Sequence, residues 1–279
     1  MNKRYIGSVI LAPLIVFLFL GGNYLKTLVL IISLVAMHEF YKVVKEKNIH
    51  AMSILGYILC IIYYFLINNN LEFKYMILIF TLSVFIMFCI PVFNTKYNFV
   101  DIAITMLGFL YIAVFFSFIV LINIKTLNFR GNTIFVGKYL IWLVFLSSWI
   151  CDTTAYYGGR YLGKHKLCPK VSPKKTIEGS ISGLVGSVAA CIIFGMLINK
   201  YSVSMNLVHI NIYNYAFIGL LCGIFSQFGD LAASSIKRYV GVKDYSQLIP
   251  GHGGILDRFD SILFSAAIVY YYISFVLLI

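Results

Sequence analysis

Tyr75–Phe93 reads YMILIFTLSVFIMFCIPVF, without one charged residue. A helix needs about 20 predominantly apolar residues to cross the hydrocarbon core of a bilayer, and this stretch supplies them between Lys74 and Lys96. Runs of the same kind recur on both sides, at 5–20, 25–41, 52–68, 100–123, 138–157, 179–199, 212–236 and 260–279. The 279 residues are 61% apolar and 11% charged, against about 45–50% and about 25% in soluble domains. The pattern predicts an all-α integral membrane protein, a polytopic bundle of about nine transmembrane helices with no room for a separate soluble domain.

The net charge of +12 would suggest a nucleic-acid partner in a soluble protein. In a membrane chain it is the expected excess of Lys and Arg on cytoplasmic loops, so no nucleic acid is expected. With the N-terminus inside, the N-terminal tail and the even-numbered connections carry 16 of the 22 basic residues and the other connections carry 6. That split predicts a cytoplasmic N-terminus, an external C-terminus, and sixth and eighth connections that share the cytoplasmic face. Lys3 and Arg4 followed by the run Ile6–Leu20 resemble a signal peptide, but no A-x-A site follows, and the run is read as the first span. Cys60, Cys89, Cys151, Cys168, Cys191 and Cys222 show no CxxC pairing and read as small hydrophobes.

The acids divide the chain. Glu39, Glu46, Glu72 and Asp101 are scattered through the first half, whereas Asp152, Glu178, Asp230, Asp244, Asp257 and Asp260 all fall between 152 and 260. Residues 1–137 are therefore expected to be transmembrane scaffold and 138–279 to be the catalytic region. Asp230 lies inside the run Cys222–Ile236. A carboxylate near a span centre costs about 2.5–3.5 kcal/mol and each Leu, Ile or Phe returns about 0.3–0.6, so the helix inserts only if the carboxylate faces a polar partner. Helical spacing puts Asp230, Ser234, Lys237 and Arg238 on one face, and Gly219 and Gly223 admit another helix closely. Two readings follow: a cation or substrate site, or an ion pair with Lys237 that serves packing alone.

Leu256-Asp257-Arg258-Phe259-Asp260 opens the last span. Two carboxylates three residues apart share a helix face and suit a hard divalent cation, although acids at a helix start are also favoured by the dipole. Pro250-Gly251-His252-Gly253-Gly254 precedes them, a loop whose glycines let backbone N–H groups approach a ligand. The sixth connection carries Arg160, Lys164, Lys166, Lys170, Lys174 and Lys175 against the single acid Glu178. Such a loop can face anionic headgroups, but Ser172-Pro173-Lys174-Lys175-Thr176 gathers two hydroxyls and two ammoniums on a proline-fixed turn, a match for phosphate oxygens. Gly158, Gly163 and Lys164 imitate a P-loop, yet His165 stands where Ser or Thr belongs and a membrane helix precedes it. Gly179, Gly183 and Gly186 read as helix packing.

Ser234-Ser235-Ile236-Lys237-Arg238, Lys243-Asp244 and Leu248-Ile249-Pro250-Gly251-His252-Gly253-Gly254-Ile255-Leu256-Asp257-Arg258-Phe259-Asp260 together resemble the signature of the phosphatidate cytidylyltransferases, or CDP-diacylglycerol synthases. The resemblance extends through Asp152-Thr153, Ala155-Tyr156, Gly159-Arg160, Gly163-Lys164, Ser172–Thr176, Glu178-Gly179, Gln227 and Gly229-Asp230, covering about residues 150–261. One position departs: where the family usually has Glu three residues after the Gly-Asp pair, this chain has Ala233.

The resemblance implies transfer of a cytidylyl group from CTP to phosphatidate, giving CDP-diacylglycerol and pyrophosphate at a bacterial inner membrane. It implies Mg2+ held by Asp230, Asp257 and Asp260, with Lys237, Arg258 and His252 beside the reacting phosphates. Asp152, Arg160, Ser172, Lys174, Lys175, Thr176, Glu178, Ser234, Arg238, Lys243, Asp244, Gly253 and Gly254 would contact substrate. The expected partners are CTP, phosphatidate and membrane lipids; a monovalent cation and a homodimer stay open. A phosphate monoester is largely dianionic at neutral pH, so its attack needs charge neutralisation and alignment more than a strong base. A transporter would be expected to show repeated halves with interrupted helices, and none is evident; a different CTP-using or prenyl-lipid transferase shares the same residue types. The charge split makes Cys168 cytoplasmic and Ile279 external. A membrane-impermeant thiol reagent is therefore expected to miss Cys168 in intact cells and to modify it after permeabilisation, and modification in intact cells would reverse the orientation.

Overall fold

The computed structural model describes residues 15–68, 73–129, 132–201 and 209–279. Lys3, Arg4, most of the expected first span and the Asn69–Asn70 turn lie outside the described residues. The chain forms two compact units, one of residues 1–117 and 239–258, the other of 118–238 and 259–279. Among the described residues five helices are long and apolar enough to cross a membrane, Gly22–Lys47, Lys74–Phe93, Phe99–Asn123, Ile177–Tyr201 and Ile212–Val240, and Ser53–Ile67 is a shorter apolar one. The architecture is all-α apart from two short hairpins, and the chain is an integral membrane protein.

The first unit contains α1 (Gly22–Val44), α2 (Ser53–Asn68), α3 (Phe73–Phe93) and α4 (Phe99–Gly108), which runs through a π turn, Phe109–Val114, into α5 (Phe115–Asn123), whose residues from 118 on belong to the second unit. Polar side chains lock these helices where apolar packing alone would leave them free to slide. Asn98 and Asp101 form a capping box at the start of α4, and Asp101 Oδ1 also accepts from the His50 N–H at 2.7 Å. The buried Tyr41 hydroxyl donates to the Thr105 carbonyl at 2.8 Å. Asp101 is thus a structural acid.

The second unit holds the hairpin β1 (Leu127–Phe129) and β2 (Asn132–Ile134), then α6 (Gly137–Tyr161), β3 (Lys166–Cys168), β4 (Ser172–Thr176), α7 (Ile177–Tyr201), α8 (Ile212–Val240) and most of α9 (Leu256–Phe275). Strands β3 and β4 pair antiparallel, with Lys166 opposite Thr176 and Cys168 opposite Ser172. α6 and α9 have the length of a span but less apolar sequence than the five above, because α6 carries Ser147, Ser148, Asp152, Thr153 and Thr154 and α9 carries Asp257, Arg258 and Asp260. Some of these polar groups face inward: Ser148 Oγ bonds Ser265 Oγ at 2.8 Å. The Lys125 ammonium meets the Ile279 carbonyl oxygen at 2.7 Å, so the C-terminal residue sits where α6 begins. The β3–β4 hairpin lies at the far end of that helix, whose 25 residues at about 1.5 Å each are long enough to traverse a bilayer core.

The expected small-residue packing is present. A β-carbon on Gly183 would stand 3.0 Å from the Cys151 carbonyl, joining α7 to α6, and one on Gly219 would stand 2.8 Å from Val188 Cα, joining α8 to α7. All six cysteines are free, with Cys60, Cys151, Cys191 and Cys222 buried. Gly219→Leu is expected to force α8 off α7 and destabilise the protein by about 1–3 kcal/mol, read as a lower melting temperature in detergent; an unchanged melting temperature would contradict the seam.

Candidate active site

Where α6, β4, α7 and α8 meet, the second unit encloses a cavity of about 330 Å3. Its wall includes the carboxylates Asp152 and Asp230, the cations Arg160, Lys174 and Lys175, the polar groups of Thr176, Ser180 and Gln227, and the apolar Ala155, Tyr156 and Leu167. Two neighbouring stretches of sequence, 152–160 and 167–180, converge here with a distant one, 227–230. Lys175 Nζ lies 2.6 Å from Asp230 Oδ2, and Ser234 Oγ donates to Asp230 Oδ1 at 3.3 Å. The partner of Asp230 is therefore Lys175 from the hairpin.

A third carboxylate completes the group. Asp260 on α9 has Asp230, Lys237 and Asp152 as its charged neighbours; its Oδ1 accepts from the Ser261 N–H at 2.8 Å, and Ser261 Oγ donates to Asp152 Oδ2 at 3.3 Å. α8 reaches α9 at this level because residue 229 has no side chain: a β-carbon on Gly229 would collide with the Asp260 carbonyl. Asp260 and Lys237 are both buried. Among the described residues, no three His, Cys, Asp or Glu side chains form a ready-made metal cluster.

Several residues expected to touch substrate also hold the hairpin. Glu178 accepts from the N–H groups of Lys164 at 3.0 Å and of His165, and pairs with His165 Nδ1 at 2.6 Å. Thr176 Oγ1 accepts from the Gly179 N–H at 3.1 Å, capping α7. Arg238 Nε donates to the Val171 carbonyl at 3.3 Å. Ser172 sits in the strand pair opposite Cys168, which leaves the exposed Lys174 and the half-buried Lys175 facing the cavity.

The glycine-rich loop belongs to the first unit. Asp257 Oδ2 accepts from the N–H groups of Tyr245 at 2.8 Å and Gly254 at 3.0 Å, so this expected metal ligand also ties its own loop. Gly253 has φ 83, and a β-carbon there would stand 3.1 Å from Asp257 Oδ2, two reasons for glycine. The buried Nδ1 of His252 has no hydrogen-bond partner among the described residues. Lys243 and Arg258 are exposed, and Asp244 is half-buried.

Glu39 was read only as one of the scattered acids. It is 3% exposed and accepts from Ser246 Oγ at 2.6 Å and from the N–H groups of Ile255 at 3.0 Å and Leu256 at 2.9 Å. The available signal was the start of α9 itself. Its cap position holds Ile255, which has no side-chain oxygen to offer the first N–H groups.

Comparison with known proteins covers nearly the whole chain. The cytidylyltransferase family model matches residues 2–276. A Staphylococcus haemolyticus protein named phosphatidate cytidylyltransferase is 32% identical over 252 residues, which are 88% of this chain and 88% of the relative. Proteins of the same name from Staphylococcus aureus (strain COL) and Staphylococcus epidermidis (strain ATCC 12228) are 38% and 36% identical over 171 residues, 61% of this chain and 58% of each relative. With a match that takes in both units and every element lining the cavity, the chain belongs to the cytidylyltransferase family.

Proposed function

We propose that the protein transfers the cytidylyl group of CTP to phosphatidate, releasing pyrophosphate and forming CDP-diacylglycerol. The observation that carries this reading is the cavity in which Arg160, Lys174 and Lys175 face Asp152 and Asp230; the name of the relatives supports it. An oxygen of the lipid phosphate attacks the α-phosphorus of CTP, a P–O bond forms, and the bond from the α-phosphorus to the bridging oxygen breaks as pyrophosphate leaves. The attacking dianion needs no strong base, so the work of the site is alignment and neutralisation of phosphate charge.

Lys174, Lys175 and Arg160 bind triphosphate oxygens in this reading, and Lys175 leaves Asp230 to do so. Carboxylate oxygens are the hard donors that Mg2+ takes, and Asp230 and Asp260 are electrostatic neighbours, so the chemistry of the donor set fits. The family resemblance adds Asp257 of the first unit as a further carboxylate, one helical turn before Asp260 in sequence. Mg2+ bound there would supply neutralisation of the triphosphate and of the leaving pyrophosphate. Lys237 balances the buried Asp260, while Arg258 and His252 serve the lipid phosphate. The hairpin and the glycine-rich loop face the cytoplasm, where CTP is, with the lipid tails remaining in the bilayer of a bacterial inner membrane.

The direct test is the detergent-solubilised protein incubated with α-phosphate-labelled CTP and phosphatidate. Label is expected in a lipid product with release of pyrophosphate; label appearing only with an isoprenoid or archaeal ether-lipid acceptor would replace the acceptor assignment. Asp230→Asn and Asp260→Asn should each lower turnover on the order of a hundredfold or more in protein that still reaches the membrane. Near-normal activity in either would remove that residue from the site. Lys175→Ala should raise the apparent KM for CTP more than that for phosphatidate, and an unchanged CTP dependence would sink its role.

A further inference from the structure

The loop that leads into α9 is held by carboxylates on both of its flanks. From within the loop's own sequence, Asp257 takes the N–H groups of Tyr245 and Gly254. From α1, more than two hundred residues away in sequence, Glu39 takes those of Ile255 and Leu256 and the Ser246 hydroxyl. All of these residues lie in the first unit. The first N–H groups of a helix have no partner within it and need an acceptor. Ile255 and Leu256 cannot supply one, and a carboxylate at that end is further favoured by the helix dipole.

The fit is tight from the other side as well. A β-carbon on Gly254 would stand 2.6 Å from Glu39 Oε2 and 2.7 Å from its carboxyl carbon, so Gly254 is glycine because Glu39 is there. Ile249 N–H donates to the Gly253 carbonyl at 2.8 Å and His252 N–H to the Ile249 carbonyl at 2.9 Å, closing a turn whose far end is fixed by Glu39. The first turn of α9 carries Asp257 and Arg258, and the loop carries His252.

We propose that Glu39 is a positioning residue of the transfer reaction: it caps α9 from α1 and so sets the orientation of Asp257, Arg258 and the His252 loop. The assignment rests on the reading of the protein as a cytidylyltransferase acting on a lipid phosphate. Displacement of reacting groups by about 1 Å costs on the order of a hundredfold in rate, so the cap controls turnover without touching substrate. Glu39→Gln keeps the shape and one accepting oxygen but turns an amide N–H2 toward a backbone donor. Gly254→Ala should displace the same carboxylate from the opposite side, and Ser246→Ala removes one bond of the three.

The test uses the full chain in lipid nanodiscs, with steady-state kinetics and backbone amide exchange followed by mass spectrometry. Glu39→Gln is expected to lower kcat by about ten- to a hundredfold with the apparent KM for CTP within about twofold of the parent. Faster exchange should be confined to the peptide 245–258, with the melting temperature lowered modestly by the lost charged acceptor. Gly254→Ala should reproduce that pattern. Ser246→Ala should show a smaller loss that adds little in the Glu39→Gln background, because the two share one contact.

Parental kcat in Glu39→Gln, or a loss of kcat accompanied by faster exchange throughout the chain, would overturn the proposal. Should Glu39→Gln fail to insert, Ser246→Ala alone decides it: parental kcat and parental exchange at 245–258 would overturn the assignment. The exchange arm needs no substrate. A protein that forms no CDP-diacylglycerol yet shows localised exchange in Glu39→Gln would therefore contradict the reaction while leaving the cap intact.

Discussion

A carboxylate carried on a membrane helix has to be given cationic or hydrogen-bonding company, and Lys175 gives it to Asp230 at 2.6 Å. The rest of the second unit is arranged so that this meeting can occur. Lys175 is on a short hairpin outside the long helices, so the hairpin must be fixed in place. Glu178 gathers the N–H groups of Lys164 and His165, and Thr176 caps α7. Glycines let α7 and α8 approach closely, and Gly229 lets α8 close on Asp260. In the proposed reaction the same pair has a second use, since a cation already resting on a carboxylate can be released to a phosphate.

Carboxylates do a second kind of work in the first unit. Glu39, Asp101 and Asp257 are all buried, and each accepts backbone N–H groups at a helix start or in a loop. A hydrogen bond from backbone to a charged acceptor is worth about 1.5–3 kcal/mol, more than a surface ion pair. Three of the ten acids serve in this way, because a buried backbone N–H left without an acceptor is costly.

The spans were legible because the apolar runs are long and their polar breaks sharp: 52–68 and 75–93 differ from α2 and α3 by a residue or two at their starts. The glycine contacts on α7 and α8 were legible for the same reason, since small residues at regular spacing on an apolar helix have few other uses. The π turn at Phe109–Val114 was not, because Phe, Leu, Tyr, Ile, Ala and Val are equally at home in an α-helix. The hairpin was visible only as a basic, proline-containing stretch. Among site residues, Asp230, Lys174 and Lys175 stood out as charges in unusual places. The capping roles of Thr176, Glu178 and Asp257 did not, because a side chain bound to backbone N–H groups leaves no pairwise pattern of residue types. Glu39 was hardest, since its partners are main-chain atoms 216 and 217 positions away.

The central claim is that the triphosphate of CTP occupies the cavity beside the Lys175–Asp230 pair. An amine-reactive reagent applied to the detergent-solubilised protein, with modified lysines identified by mass spectrometry, tests it most directly. Saturating CTP should suppress modification of Lys174 and Lys175 and leave the exposed Lys138 at the start of α6 unaffected. Equal modification of Lys174 and Lys175 with and without CTP, in protein that is turning over, would contradict the account.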